Sequence, residues 1–488
     1  MTEAVTKRLA SINGAEEKLA KSYESLLVIN PDLDRTLVSY QANKQVNGHR
    51  WCKYKEGFSG ALIQYILRRT GVSRGTLLDP FVGSGTAVFE GSDIGMRATG
   101  IELLPCSAEI VAVREILRSG DGRAMAKQIR EFALKRSWEK EGKRKSFKHL
   151  RITKGAFPSE TERLLERYLY EAERKRSLQL RRVLRFAAMS ILESISFTRK
   201  DGQYLRWDSR SGRRAGGKEF NKGPILGFNE AITTKLEQIA EDISGDGLLF
   251  DERNGAKGKG GVDLLSGSCL EILSTLPTSS FDAVITSPPY CNRYDYTRTY
   301  ALELALMGID EEGIRDLRQT MLSCTVENKA KENLETCIGK SLMKRAMSAF
   351  ESQELLQEIL GYLDWCREEG LLNNNGIARM VRNYFLEMAL VVFECSRVLK
   401  LGAPFCMVND NVRYQGAHIP VDLILSEFAK AAGMDVDCIW VLPRGKGNSS
   451  QQMGVHGRKE IRKCVYVWRV KSRRANGLNR TLVHQWSS

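Results

Sequence analysis

Leu77-Leu78-Asp79-Pro80-Phe81-Val82-Gly83-Ser84-Gly85-Thr86 is the stretch on which the fold turns. Two leucines run into an acid, a proline breaks the run, and two glycines open onto a helix-forming segment, the pattern of a strand, a tight turn and a helix. Glycine at 83 and 85 lets the backbone pass close to a ligand where a Cβ would collide, and the free N–H groups at the helix start face the same point. A glycine turn after a strand is common in any α/β sheet, so alone it fits a structural turn as well as a ligand loop. Two nucleotide signatures are absent. There is no Gly-Lys-Ser/Thr of a phosphate loop, and Val88 stands where the dinucleotide fingerprint needs its third small residue.

Working outward, Ala98-Thr99-Gly100-Ile101-Glu102 reads as the next strand, ending in an acid placed to accept both hydroxyls of a ribose. As a plain alternative, Glu102 is a solvated strand-end charge. Phe281-Asp282-Ala283-Val284-Ile285-Thr286-Ser287-Pro288-Pro289-Tyr290 is an apolar strand stopped by two prolines, which hold the backbone open at the strand's C-terminal edge with an aromatic ring beside it. Strand and helix patterns alternate over 75–117, 262–308 and 376–470. They predict an α/β protein: a Rossmann-like sheet with helices on both faces, plus a long basic, mainly helical insertion.

The 488 residues carry 74 Lys and Arg against 59 Asp and Glu, a net charge of +15 with a pI near 9.3. Such a surplus points to a polyanionic partner, nucleic acid before anionic membrane. Between 123 and 154, twelve basic residues face three glutamates, so nine of the surplus charges sit in one stretch. This yields a discontinuous α/β domain bearing the strand-end motifs (1–120 and 261–475), a basic insertion (121–260) as the candidate for recognising that partner, a helical subregion (310–375) of unread role, and a C-terminal tail (476–488). No apolar run approaches the ~20 residues of a membrane span, and no secretory signal opens the chain, so a cytoplasmic protein is expected. Eleven cysteines, without a Cys-x-x-Cys pair, read as reduced thiols, and five histidines without metal spacing predict no metal site.

At this point the sequence resembles a known family, the S-adenosylmethionine-dependent DNA methyltransferases that modify exocyclic amino groups. Asp79 to Thr86 is similar to their cofactor loop and Ser287-Pro288-Pro289-Tyr290 to their catalytic loop. Arg50 to Ser59 is similar to the segment closing over the methionine part of the cofactor, and Gly447 to Gln452 to part of the remaining sheet. The resemblance covers roughly 45–117 and 262–470. It implies S-adenosylmethionine held by Tyr54, Phe58, Ser59, Asp79, Pro80, Phe81, Gly83, Gly85, Thr86, Glu102, Ser268 and Cys269, with Ser287, Pro288, Pro289 and Tyr290 catalytic. Ser268 departs from the acid often found in that place, leaving the adenine contact open. Cys106 invites a carbon-5 cytosine reading, but it follows the ribose-acid strand and reads as a small buried residue.

The implied chemistry is direct methyl transfer to the amino group of a flipped base, N4 of cytosine being favoured over N6 of adenine because a serine opens the catalytic loop. Double-stranded DNA is the expected partner, together with a cognate restriction endonuclease at the same site. Expected DNA contacts are Lys135, Arg136, Lys143, Arg144, Lys145, Arg206, Trp207, Arg210, Arg213 and Arg293, although charge runs are usually solvated helix faces. An RNA methyltransferase, or a catalytically silent DNA-binding protein on the same scaffold, stays open as an alternative.

Overall fold

Each strand returns to the same layer after a helical excursion, and eight of them build one sheet. In chain order they are β1 (Leu27–Ile29), β2 (Thr76–Asp79), β3 (Arg97–Glu102), β4 (Val262–Ser266), β5 (Ala283–Thr286), β6 (Pro404–Asp410), β7 (Met434–Val441) and β8 (Lys463–Val470). The computed structural model describes residues 3–471 other than 56, 202–203, 214–218, 245–259, 333, 444–445 and 448–459. Glu56, the Asn448 to Gln452 stretch and the 476–488 tail therefore lie outside the described residues. The strand order is β1-β7-β8-β6-β5-β2-β3-β4. Every pairing is parallel except the two made by β8.

The result is a mixed α/β protein with a mainly parallel central sheet. Strands covered on both sides must be apolar on both faces, which explains why all four residues of β5 and the first six of β6 are buried. Side chains alternate between faces. Phe405 and Met407 join the core beneath the helix Ile377–Val398, whereas Cys406 and Val408 join the core beneath the helices Gly60–Thr70 and Thr86–Asp93. Strand order reverses between β2 and β5, whose chain neighbours leave in opposite directions. That switch point is where open α/β sheets place ligands.

The 310–375 region forms helices Lys340–Ser352 and Glu354–Glu368, which pack on Ile377–Val398. The basic insertion supplies helices Gly122–Lys135, Ser159–Glu173, Leu178–Ile195 and Phe228–Ile243, with a hairpin pairing Thr198–Asp201 and Tyr204–Trp207. Its apolar core (Ile129, Phe132, Tyr168, Phe186) runs without a break into Cys106 and Ile110 of the helix after β3, and into Trp51 and Tyr54. It thus shares a core with the segment beside the switch point. No helix of the described residues is long and apolar enough to cross a membrane.

Candidate active site

The two loops singled out from sequence leave the C-terminal ends of neighbouring strands, β2 and β5, paired through Leu77 with Ala283 and Leu78 with Val284. Asp79 ends β2 and is buried. Its Oδ1 accepts hydrogen bonds from Phe81 N at 3.0 Å and Thr286 Oγ1 at 2.6 Å, while Oδ2 has no hydrogen-bond partner among the described residues. Burial pushes its carboxyl up to about 7. Gly83 and Gly85 both lie in the left-handed region, with φ of 54° and 85°. A Cβ on Gly83 would sit 2.9 Å from the Tyr54 hydroxyl, so the loop is packed to its backbone.

Glu102 ends β3 across from this loop. It accepts Gly83 N at 2.9 Å through Oε2 and Leu104 N at 2.8 Å through Oε1. Each oxygen keeps a second lone pair for a ligand hydroxyl. Burial raises this carboxyl also to about 7. The Arg114 guanidinium donates to the Ser84 carbonyl at 3.2 Å and lies beside His49, whose imidazole burial holds down at about 4. The glycine loop is therefore fixed from behind by a cation.

Between these elements, at the C-terminal edge of the sheet, lies a cleft. Tyr54, Phe58, Pro80, Phe81, Gly83, Thr86, Glu102, Ser268 and Cys269 line it, and so do Ser287 and Pro289. Three expected residues do not. Ser59 is buried as the cap of the helix Gly60–Thr70 and donates to the Leu37 carbonyl, Gly85 caps the following helix, and Asp79 lies beneath the floor. Met321 and Leu322 form a wall that the sequence did not disclose. Their segment is anchored by Glu387, buried, which accepts from Ser323 N, Ser323 Oγ and Lys331 Nζ. Ser268 Oγ donates to the Thr320 carbonyl at 3.3 Å.

Ser287 Oγ donates to Tyr290 Oη at 3.2 Å, and Pro288 is buried between them. Tyr290 lines a second cleft, with Lys463 Nζ 5.8 Å from its ring centroid. The four-residue loop thus stands between two cavities.

No protein-family model and no solved structure matches the chain. Curated relatives do. The type II methyltransferase M.AvaI of Nostoc sp. (strain PCC 7120 / SAG 25.82 / UTEX 2576) is 49% identical over 463 residues, covering 94% of each chain, and its namesake from Anabaena variabilis gives the same figures. This chain belongs to the type II methyltransferases. The type II methyltransferase M.BsoBI of Geobacillus stearothermophilus is 40% identical over 471 residues, 92% of this chain and 91% of that one.

In this type II methyltransferase, five of the cations expected to meet DNA pair with protein carboxylates. Arg136 pairs with Glu139 at 3.2 Å, Arg144 with Glu166 at 3.6 Å and Lys145 with Glu173, while Lys135 and Lys143 are exposed. Arg206 pairs with Asp201 at 3.1 Å and Arg210 with Asp208 at 2.7 Å. Arg213 lies 3.9 Å over the Trp207 ring and donates to the Arg151 and Ile152 carbonyls. Arg293 sits apart from these, directly after the catalytic loop, with a left-handed φ of 66° and a 3.4 Å contact to Asn373. Cys106 is buried and its thiol is pushed up by that burial, the opposite of what a nucleophile needs.

Proposed function

We propose that this type II methyltransferase moves a methyl group from S-adenosylmethionine to the exocyclic amino group of a flipped base in double-stranded DNA, with N4 of cytosine as acceptor. The carrying observation is the position of Ser287 to Tyr290 between two cavities. Ser287 and Pro289 face the first, and Tyr290 faces the second.

The first cleft fits the cofactor by its glycine cradle, where a Cβ on Gly83 would press on Tyr54, and by its acceptor Glu102, whose oxygens keep open lone pairs. Glu102 would hold the ribose hydroxyls. Tyr54, Phe58, Pro80, Phe81, Thr86, Ser268 and Cys269 would enclose the rest, with Asp79, Gly85 and Ser59 acting from behind. When bound, the cofactor supplies an electrophilic sulfonium methyl group.

An amino group on cytosine is a poor nucleophile because its lone pair is delocalised into the ring. Ser287 Oγ and the Pro288 carbonyl would accept hydrogen bonds from its two N–H groups and draw that lone pair out of conjugation while Tyr290 holds the base by stacking, and as N–CH3 forms and S–CH3 breaks one amino proton is released to solvent. Direct in-line transfer needs no thiolate, in keeping with a buried Cys106. The names of the relatives support a role in restriction-modification beside an endonuclease of the same site. Single-molecule sequencing of DNA from cells expressing the chain tests base and site together. N4-methylcytosine at one recurring sequence is expected. N6-methyladenine would overturn the assigned base, and unmodified DNA would overturn the substrate.

A further inference from the structure

The second cleft is the larger of the two, and it shares Tyr54 and Gly57 with the first. Its described lining carries seven lysine or arginine side chains, among them Arg35, Lys44, Lys53 and Lys55, and no aspartate or glutamate. A concave wall of one sign focuses the field on a ligand of the other sign. The same wall is costly to the free protein by self-repulsion.

The wall is also rigid. Buried Asp242, on the insertion helix Phe228–Ile243, accepts from Gly48 N at 3.4 Å, from Trp51 Nε1 at 2.7 Å and from the Arg50 guanidinium, pinning the 48–51 turn. Lys235 on the same helix donates to the Trp51 carbonyl at 2.9 Å. Arg35 and Lys44 stand at the rim, exposed, and neither pairs with a carboxylate among the described residues. Lys53 contacts Glu193 with half of its side chain still in solvent. Arg50, Lys53 and Lys463 of the cleft pair with Asp242, Glu193 and Asp410, much as Arg136, Arg144 and Lys145 of the insertion pair with glutamates, so the cleft's uncompensated charge among the described residues is that of Arg35 and Lys44 at the mouth beside Tyr290.

We propose that this cleft, and not the basic run at 123–154, seats the DNA strand that carries the extruded nucleotide. Arg35, Lys44 and Lys53 bind phosphates flanking it, and the base enters past Tyr290. The insertion acts by holding the wall through Asp242 and Lys235. The inference rests on the reading of duplex DNA as substrate.

The test is fluorescence anisotropy with a labelled mixed-sequence DNA duplex and an RNA duplex of equal length, between about 50 and 200 mM salt, on the full chain. Removing one phosphate-binding cation lowers the slope of log affinity against log salt by about 0.9. R35Q/K44Q is expected to lower it by about two and weaken binding on the order of tenfold to a hundredfold, with S-adenosylmethionine affinity by calorimetry unchanged. R144Q/K145Q is expected to move the slope by less than about half a unit. A large slope change from R144Q/K145Q with none from R35Q/K44Q overturns the cleft assignment and leaves the DNA reading standing. A wild type that binds neither duplex, or prefers RNA, overturns the DNA reading and the cleft assignment with it.

Discussion

Thr286 Oγ1 donates a 2.6 Å hydrogen bond to Asp79 Oδ1, tying the last residue of β5 to the last residue of β2. The strand that leads into the glycine loop and the strand that leads into the Ser287–Tyr290 loop are thereby locked in register where they part. Removing the hydroxyl leaves Asp79 with Phe81 N alone. Thr286→Val is expected to destabilise the protein by about 1–3 kcal/mol, the cost of an unsatisfied buried acceptor. It should also raise the Asp79 carboxyl further, since this bond opposes the effect of burial. Urea midpoints of Thr286→Val and Thr286→Ser check it, with serine restoring most of the loss.

Glu102 and Asp79 both titrate near about 7, burial being the main cause in each and the Asp79 charge adding to the rise at Glu102. On the proposed role of Glu102, the form that would accept two ribose hydroxyls is the carboxylate, populated above that pH. Cofactor affinity should therefore fall about tenfold per unit below pH ~7, and Glu102→Gln should flatten the profile at a low plateau. Stability of the free protein runs the other way. The folded-state value lies above the ordinary 4.5, so the folded state binds more protons and loses stability as pH rises from there to about 7. Calorimetric titration and thermal unfolding across pH 5–8 separate the two.

The motif-bearing strands β2, β3 and β5 were legible because each carries its chemistry at its C-terminal end, where a glycine, an acid or a proline interrupts an apolar run. The β1 strand was not, since three residues before a turn leave no period to read. Met321 and Leu322 were hidden for a different reason. An apolar pair after a helix has the same signature whether it fills a core or walls a cleft, and only the anchor at Glu387 decides which. The surplus of nine charges was legible, yet its meaning was not. Glu166 and Glu173 lie on a helix 22 and 28 residues beyond their partners Arg144 and Lys145, and a count of charges says nothing about which side chains face each other.

Lys200 on the insertion hairpin pairs with Glu303, both about 95% buried, and its ammonium lies 4.5 Å from the centroid of the Tyr300 ring, which stacks on Tyr54 at 5.6 Å. The cover of the cofactor cleft is thus braced by a desolvated ion pair. Breaking one side leaves a buried charge, so Lys200→Met is expected to cost about 3–5 kcal/mol. Lys200→Met with Glu303→Leu should recover much of that, and denaturant unfolding of the single and double variants measures it.

Gly83→Ala places a methyl 2.9 Å from the Tyr54 hydroxyl at a φ of 54°, which L-residues resist. The glycine loop must shift or Tyr54 must withdraw. Cofactor affinity should drop on the order of tenfold, equivalent to about 1.4 kcal/mol, with the circular dichroism spectrum unchanged. Alanine at Gly71 is the control. It shares a positive φ of 73° but meets nothing within 4 Å, so the cofactor affinity should stay as it is.

Tyr290 separates the two halves of the reaction. Its ring lines the second cleft and not the first, so its loss should spare the cofactor. Stacking of one base on an aromatic ring is worth about 1–3 kcal/mol, which converts to roughly a 5- to 150-fold fall in transfer rate. Tyr290→Phe keeps the ring but loses the hydroxyl that accepts from Ser287 Oγ at 3.2 Å. It should retain most activity if stacking dominates. Tyr290→Ala is therefore expected to bind S-adenosylmethionine like wild type and to transfer methyl groups slowly, by calorimetry and by incorporation of labelled methyl into DNA. Equal loss of binding and transfer would place Tyr290 in the cofactor cleft instead and contradict its role on the base.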